Sequence, residues 1–171
     1  MADKLDKSNS CLYIVDMQHG FQNISTYDVF DRISTLLEEF KDCPIVSSKF
    51  INREGSEFSE LLVWNDMRSG FRTEVVSEVE EKSEKVFLKY HYTSLTEEFL
   101  AYIKENGITT VFIAGVDTDA CVLETAVDLF SMGIKPVVIE NYCASSGGHA
   151  LHEAALMILR RSVGSNNVIT I

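Results

Sequence analysis

Short apolar runs alternate with amphipathic stretches along this chain, and that alternation leaves few folds open. Residues 10–16 (SCLYIVD), 44–48 (PIVSS), 85–88 (KVFL), 110–114 (TVFIA) and 135–140 (KPVVIE) read as strands, with a short last one at 168–171. Helices are expected over 27–40, 95–106, 119–132 and 149–162. The first of these carries Val29, Phe30, Ile33, Leu36, Leu37 and Phe40 at helical spacing. Gly107, Gly133 and Gly164 stop the other three. Strands that are apolar on both faces belong to a sheet covered on both sides. The pattern therefore predicts an α/β fold: a three-layer α-β-α sandwich around a six-stranded, mostly parallel, Rossmann-like sheet of order 3-2-1-4-5-6. Ligands of such sheets bind at the carboxyl edge, near the switch between the first and fourth strands.

Three residues with useful chemistry fall on that edge. Asp16 closes the first strand, Lys89 follows the third, and Cys121 follows the fourth in the stretch VFIAGVDTDACV. Asp117, Thr118 and Asp119 are each suitable helix caps, so Cys121 is expected in a first helical turn, where free N–H groups favour a thiolate and can hold an oxyanion. Taken singly, each has a plainer explanation: Cys121 as a small buried hydrophobe, Asp16 as a cap, Lys89 as a solvated strand end. Lys89 also needs a long reach, because the third strand lies two places from the first. His149, His152 and Cys143 lie near the same edge and read equally as capping or packing residues. A capping box is expected at Ser94 (or Thr93) with Glu97.

The 171 residues suit one domain spanning 1–171, with 1–9 flexible. A net charge of −11 without a basic cluster argues against nucleic acid and anionic membranes as partners. No stretch is long and apolar enough for a membrane span, and residues 1–9 lack a signal-peptide core, so the expected location is cytoplasmic. The four cysteines, Cys11, Cys43, Cys121 and Cys143, form no C-x-x-C pair, which argues against a zinc ribbon or redox motif. The first strand–helix turn, DMQHGFQ, has no glycine-rich phosphate loop, which removes support for nucleotide or flavin binding. Residues 49–79 are irregular, and Phe50, Phe58, Trp64 and Phe71 there could line a pocket or cover the sheet edge.

With these residues in view, the chain resembles the isochorismatase-like cysteine hydrolases, which include nicotinamidases and N-carbamoylsarcosine amidases. LYIVDMQHGF, FLKYHYTSL and AGVDTDACVLETA carry the likeness, and NYCASSGGHALHEAAL extends it. The resemblance implies a triad of Asp16 as general base, Lys89 as electrostatic stabiliser and Cys121 as nucleophile. It also implies a cis peptide at Val116–Asp117, an oxyanion hole built from Val116, Asp117 and Cys121, and a homodimer or larger homo-oligomer. Phe21, Tyr92 and Thr118 are the pocket residues it suggests. Nicotinamidases place an Asp-x-His metal pair after the second strand. SSKFINREGSEF has none, and His19, His91, His149 and His152 do not restore it, so neither a metal nor a cofactor is expected. The functional expectation is hydrolysis of a small amide, carbamoyl or related carbonyl compound. The alternative is a silent member of the fold that binds a small molecule or partner without turnover.

Overall fold

The first strand, β1 (Ser10–Val15), is buried at every position, as its unbroken apolar run requires. It lies in the middle of the sheet, in a computed structural model that describes residues 5–171. The chain continues through α1 (Tyr27–Glu39), β2 (Ile45–Phe50), the single turns α2 (Glu57–Glu60) and α3 (Ser77–Glu80), β3 (Lys85–Lys89) and α4 (Glu97–Glu105). Then come β4 (Thr110–Val116), α5 (Leu123–Ser131), β5 (Lys135–Ala144), α6 (His149–Ser162) and β6 (Val168–Ile169). The six strands run in the order β3-β2-β1-β4-β5-β6, as the sequence predicts, and every pairing is parallel.

The period of two along each strand divides the core. Leu12 and Ile14 face α1 and α3 through Ile33, Leu36, Leu37 and Val79. Cys11, Tyr13 and Val15 face α4, α5 and α6 through Phe99, Ala126, Leu129, Leu156 and Leu159. The result is the expected three layers.

Two positive-φ residues shape the carboxyl edge. Gly115, at φ +117°, lies so close to β1 that an added Cβ would stand 2.2 Å from the Val15 carbonyl oxygen, so only glycine fits. Asp16 takes φ +48°, a left-handed conformation that aspartate tolerates better than most residues. By strand alternation its side chain would share the face of Leu12 and Ile14. The left-handed turn instead brings it to Ser48, which lies on the opposite face with Val46.

Three local expectations are corrected. α4 is capped by Thr96, whose hydroxyl accepts the Phe99 N–H, and not by Ser94 or Thr93. Ser94 is instead tied to α5, its N–H donating to the Thr125 hydroxyl at 3.1 Å. The helix after β4 begins as a π-helical turn, Thr118–Val122, before α5. β5 runs on to Ala144, past the expected end at 140, because Cys143 and Ala144 pair with Gly115 and Val116 beyond a bulge. Of the stretch 1–9 expected to be flexible, 1–4 lie outside the described residues. Leu5 packs against the core, and the Lys7 ammonium donates to the Glu39 carbonyl at 2.6 Å.

Candidate active site

Asp16, Lys89 and Cys121 meet. The Lys89 ammonium lies 2.8 Å from Asp16 Oδ2 and 3.2 Å from Cys121 Sγ. Lys89 reaches Asp16 across β2, where that strand presents the small side chain of Ser48. The Ser48 hydroxyl donates to Asp16 Oδ1 at 2.6 Å and accepts the Asp16 N–H at 3.1 Å. Both side chains of the ion pair are 1% exposed, so the solvated reading of Lys89 does not hold. Two further bonds hold the ammonium, to the carbonyls of His91 (2.9 Å) and Tyr92 (3.0 Å). Lys89 thus also anchors the loop that leads to α4.

Electrostatics fix where the proton rests. Burial pushes the Cys121 thiol up, and the Asp16 charge and a hydrogen bond to that carboxylate push it further, against the opposing pull of Lys89. Helix geometry read from sequence favours a thiolate at Cys121; in the folded protein, loss of water outweighs it. Burial also works against a charged Lys89, but the Asp16 charge and its hydrogen bond hold the ammonium above its ordinary range. The resting site is therefore a thiol beside a carboxylate–ammonium pair.

Of the three, only Cys121 reaches open space. It lines a cavity of about 410 Å³ whose wall includes Phe21, Phe50, Phe58, Trp64 and Tyr92. Phe50, Phe58 and Trp64 both line the cavity and pack with Met67 as a small core cluster, while Phe71 is exposed and stacks on His19. Phe21 and Tyr92 also line that wall. Thr118 does not: it is fully buried, with its hydroxyl 2.8 Å from His152 Nδ1. Val116 is also fully buried, and the Val116–Asp117 peptide is cis. His149 is exposed, and Cys143 packs in the core.

Residues 10–170 match the isochorismatase domain. The chain belongs to the isochorismatase family. It is a family of hydrolases that includes nicotinamidases. Isochorismatase family protein 2A of Dictyostelium discoideum is 27% identical over 152 residues, which cover 85% of this chain and 71% of that protein. A nicotinamidase of Acinetobacter baylyi is 37% identical over 73 residues, 40% of this chain and 34% of the relative. The crystal structure of a nicotinamidase from Bacillus subtilis superposes with a TM-score of 0.80 at 23% identity, covering 91% of this chain and 97% of that one. At that identity the superposition speaks for the fold.

No Asp-x-His pair follows the second strand among the described residues. After β2 the chain offers Asn52, whose amide donates to the Trp64 and Asp66 carbonyls and whose carbonyl accepts the Ser56 hydroxyl. Asp66 is taken by Arg72, whose Nη2 is 2.6 Å from Oδ2. Among the described residues, no three His, Cys, Asp or Glu side chains are grouped to hold a metal ion. None of the described helices is long and apolar enough to cross a membrane.

Several positioning residues are not apparent from sequence. Gln18 is fully buried and ties the β1 loop to two other segments. Its amide donates to the Phe50 and Thr73 carbonyls, and its own carbonyl accepts the Phe50 N–H at 2.8 Å. The sequence shows a glutamine two residues after the strand-ending aspartate but not its burial, and it is burial of the amide that demands such partners. Ser146 bonds Asp117 through both its N–H and its hydroxyl, at 2.6 Å each. Nothing in the composition of residues 141–148 marks that pairing.

Proposed function

We propose that this family member hydrolyses a C–N bond of a small amide, carbamoyl or related carbonyl compound through a covalent Cys121 intermediate. One observation carries the reading: a cysteine on the floor of a cavity lies 3.2 Å from a buried ammonium that also holds a buried carboxylate at 2.8 Å. The partial match to a nicotinamidase supports an amide as the bond cleaved.

The chemistry follows from where the proton rests. Cys121 Sγ attacks the carbonyl carbon while its proton passes to Asp16, so the thiol need not ionise into solvent first. Lys89 stays charged and offsets the negative charge as it moves from carboxylate to sulfur. The backbone N–H groups of Asp117 and Cys121 receive the developing oxyanion. Asp16 then delivers the proton to the departing nitrogen as the C–N bond breaks, leaving a thioester. Water attacks the thioester, Asp16 takes a proton from it, and that proton returns to sulfur as the acid leaves.

The test is ammonia release from a panel of primary amides and ureido compounds by the wild type, Cys121→Ala and Cys43→Ala. We expect turnover by the wild type and by Cys43→Ala, and a loss of about a thousandfold or more in Cys121→Ala. Equal activity in Cys121→Ala would exclude the covalent route.

A further inference from the structure

We propose that the cavity above Cys121 selects substrates carrying a positive charge, held between the carboxylates of Asp117 and Asp119 and the aromatic rings of Trp64, Phe58 and Tyr92. This rests on Cys121 being the nucleophile and adds the substrate class.

The charges on the wall do not balance locally. The charged residues lining the cavity are Asp66, Arg72, Asp117 and Asp119. Arg72 is spent: its Nε and Nη2 grip both Asp66 oxygens at 2.6–3.1 Å, and Nη2 also bonds the Gly20 carbonyl at 3.0 Å. That pair cancels. Lys89, below the floor, is fully engaged by Asp16, two carbonyls and the Cys121 sulfur. Asp117 receives hydrogen bonds only from the neutral N–H and hydroxyl of Ser146. Asp119 Oδ1 is buried and has no partner at all. Among the described residues, neither carboxylate has a lysine, arginine or histidine nitrogen within ion-pair distance. Two carboxylate residues therefore line the cavity with no cation within ion-pair distance to answer them. A carboxylate without a counter-charge is costly in a partly desolvated site, and a cationic ligand recovers part of that cost.

The phenol of Tyr92 senses the same field. Burial raises it first, and the carboxylates of Glu124, Asp119 and Asp117 raise it further. The same cavity is lined by aromatic rings: Trp64 stacks on Phe50 at 6.0 Å, and Phe58 meets Tyr92 edge-on at 4.9 Å. The Phe50 ring already has the Lys89 ammonium 5.3 Å from its centroid, which leaves Trp64, Phe58 and Tyr92 for the ligand. Carboxylates and aromatic rings lining one cavity make a binding site for an organic ammonium. An anionic substrate would meet two carboxylates and no free cation. The overall charge of −11 steers in the same direction.

The test uses thiol reagents of one shape class and three charges: trimethylammonioethyl, methyl and sulfonatoethyl methanethiosulfonate. Their rates at Cys121 are read by peptide mass spectrometry in the full chain and divided by their rates with free 2-mercaptoethanol. We expect the cationic reagent to lead the anionic one by about tenfold after this correction, the lead to shrink in Asp119→Asn, and to shrink in the wild type at 0.5 M salt. The buried Lys89 beside the sulfur would by itself favour the anion, so a cationic preference has to come from the cavity wall. Labelling of Cys121 with equal or reversed preference overturns the proposal and leaves the nucleophile standing. No labelling of Cys121 by any of the three overturns both.

Discussion

Removing the Lys89 ammonium should be costly to stability as well as to chemistry. In Lys89→Met the aliphatic stem is kept, but Asp16 loses a partner at 2.8 Å in a site where both side chains are 1% exposed. Ser48 still donates to Asp16, yet no cation remains, and the carbonyls of His91 and Tyr92 lose their donor. Breaking a buried pair from one side costs about 3–5 kcal/mol. Against a total stability of about 5–15 kcal/mol this is a large share, equivalent to a fall in Tm of about 6–20 °C for a chain of this size. Asp16→Asn should cost a similar amount by stranding the ammonium. The double variant removes both charges, so its loss should fall short of the sum by about 2–3 kcal/mol. Urea unfolding followed by far-UV circular dichroism gives all three values. A single-variant loss below about 1 kcal/mol, or simple additivity in the double variant, would refute the reasoning.

Other perturbations read other parts of the structure. Burial pushes Asp117 up to about 6 from 3.8, so its contribution to stability is complete below 3.8 and is lost as pH rises through about 6. Asp117→Asn should therefore help more at high pH, its advantage growing by about 1.4 kcal/mol between pH 5 and pH 8; a pH-independent difference in urea unfolding would contradict this. Gly115→Ala should cost about 3 kcal/mol or more, because its Cβ meets the Val15 carbonyl, whereas Gly55→Ala, in open space at φ +70°, should cost only about 1 kcal/mol; thermal unfolding separates them. Thr96→Ala should cost about 1 kcal/mol as a true cap, and Ser94→Ala less, since the Ser94 hydroxyl has no partner.

The layering and strand order could be read from the sequence because buried parallel strands are unbroken apolar runs, and because stop glycines mark the helix ends. Asp16 and Cys121 were visible for the same reason: each breaks or follows such a run at the edge where the sheet binds ligands. The placement of Lys89 depends on more than its own strand. It reaches Asp16 because β2, between them, carries Ser48, and because the left-handed backbone at Asp16 turns that side chain to the opposite face. Sequence pattern carries neither fact. The Ser94–Glu97 pattern misplaced a cap because tertiary contact with Thr125 claims Ser94 first. Helix position, which favours a thiolate at Cys121, is local, whereas the burial that pushes the thiol up comes from the whole fold. The irregular 49–79 segment gave its aromatics but not their use, since Arg72 and Asp66 close on each other only in the folded loop.

The most direct test of the central claim is the iodoacetamide rate at each cysteine between pH 6 and pH 8, read by peptide mass spectrometry in the wild type and Asp16→Asn. If Asp16 takes the thiol proton within the site, Cys121 reacts fastest of the four cysteines, and its rate is nearly flat with pH. In Asp16→Asn the proton must leave to solvent, so the Cys121 rate rises about tenfold per pH unit. A Cys121 that reacts no faster than Cys11 and Cys43, or a pH profile untouched by Asp16→Asn, would contradict the account.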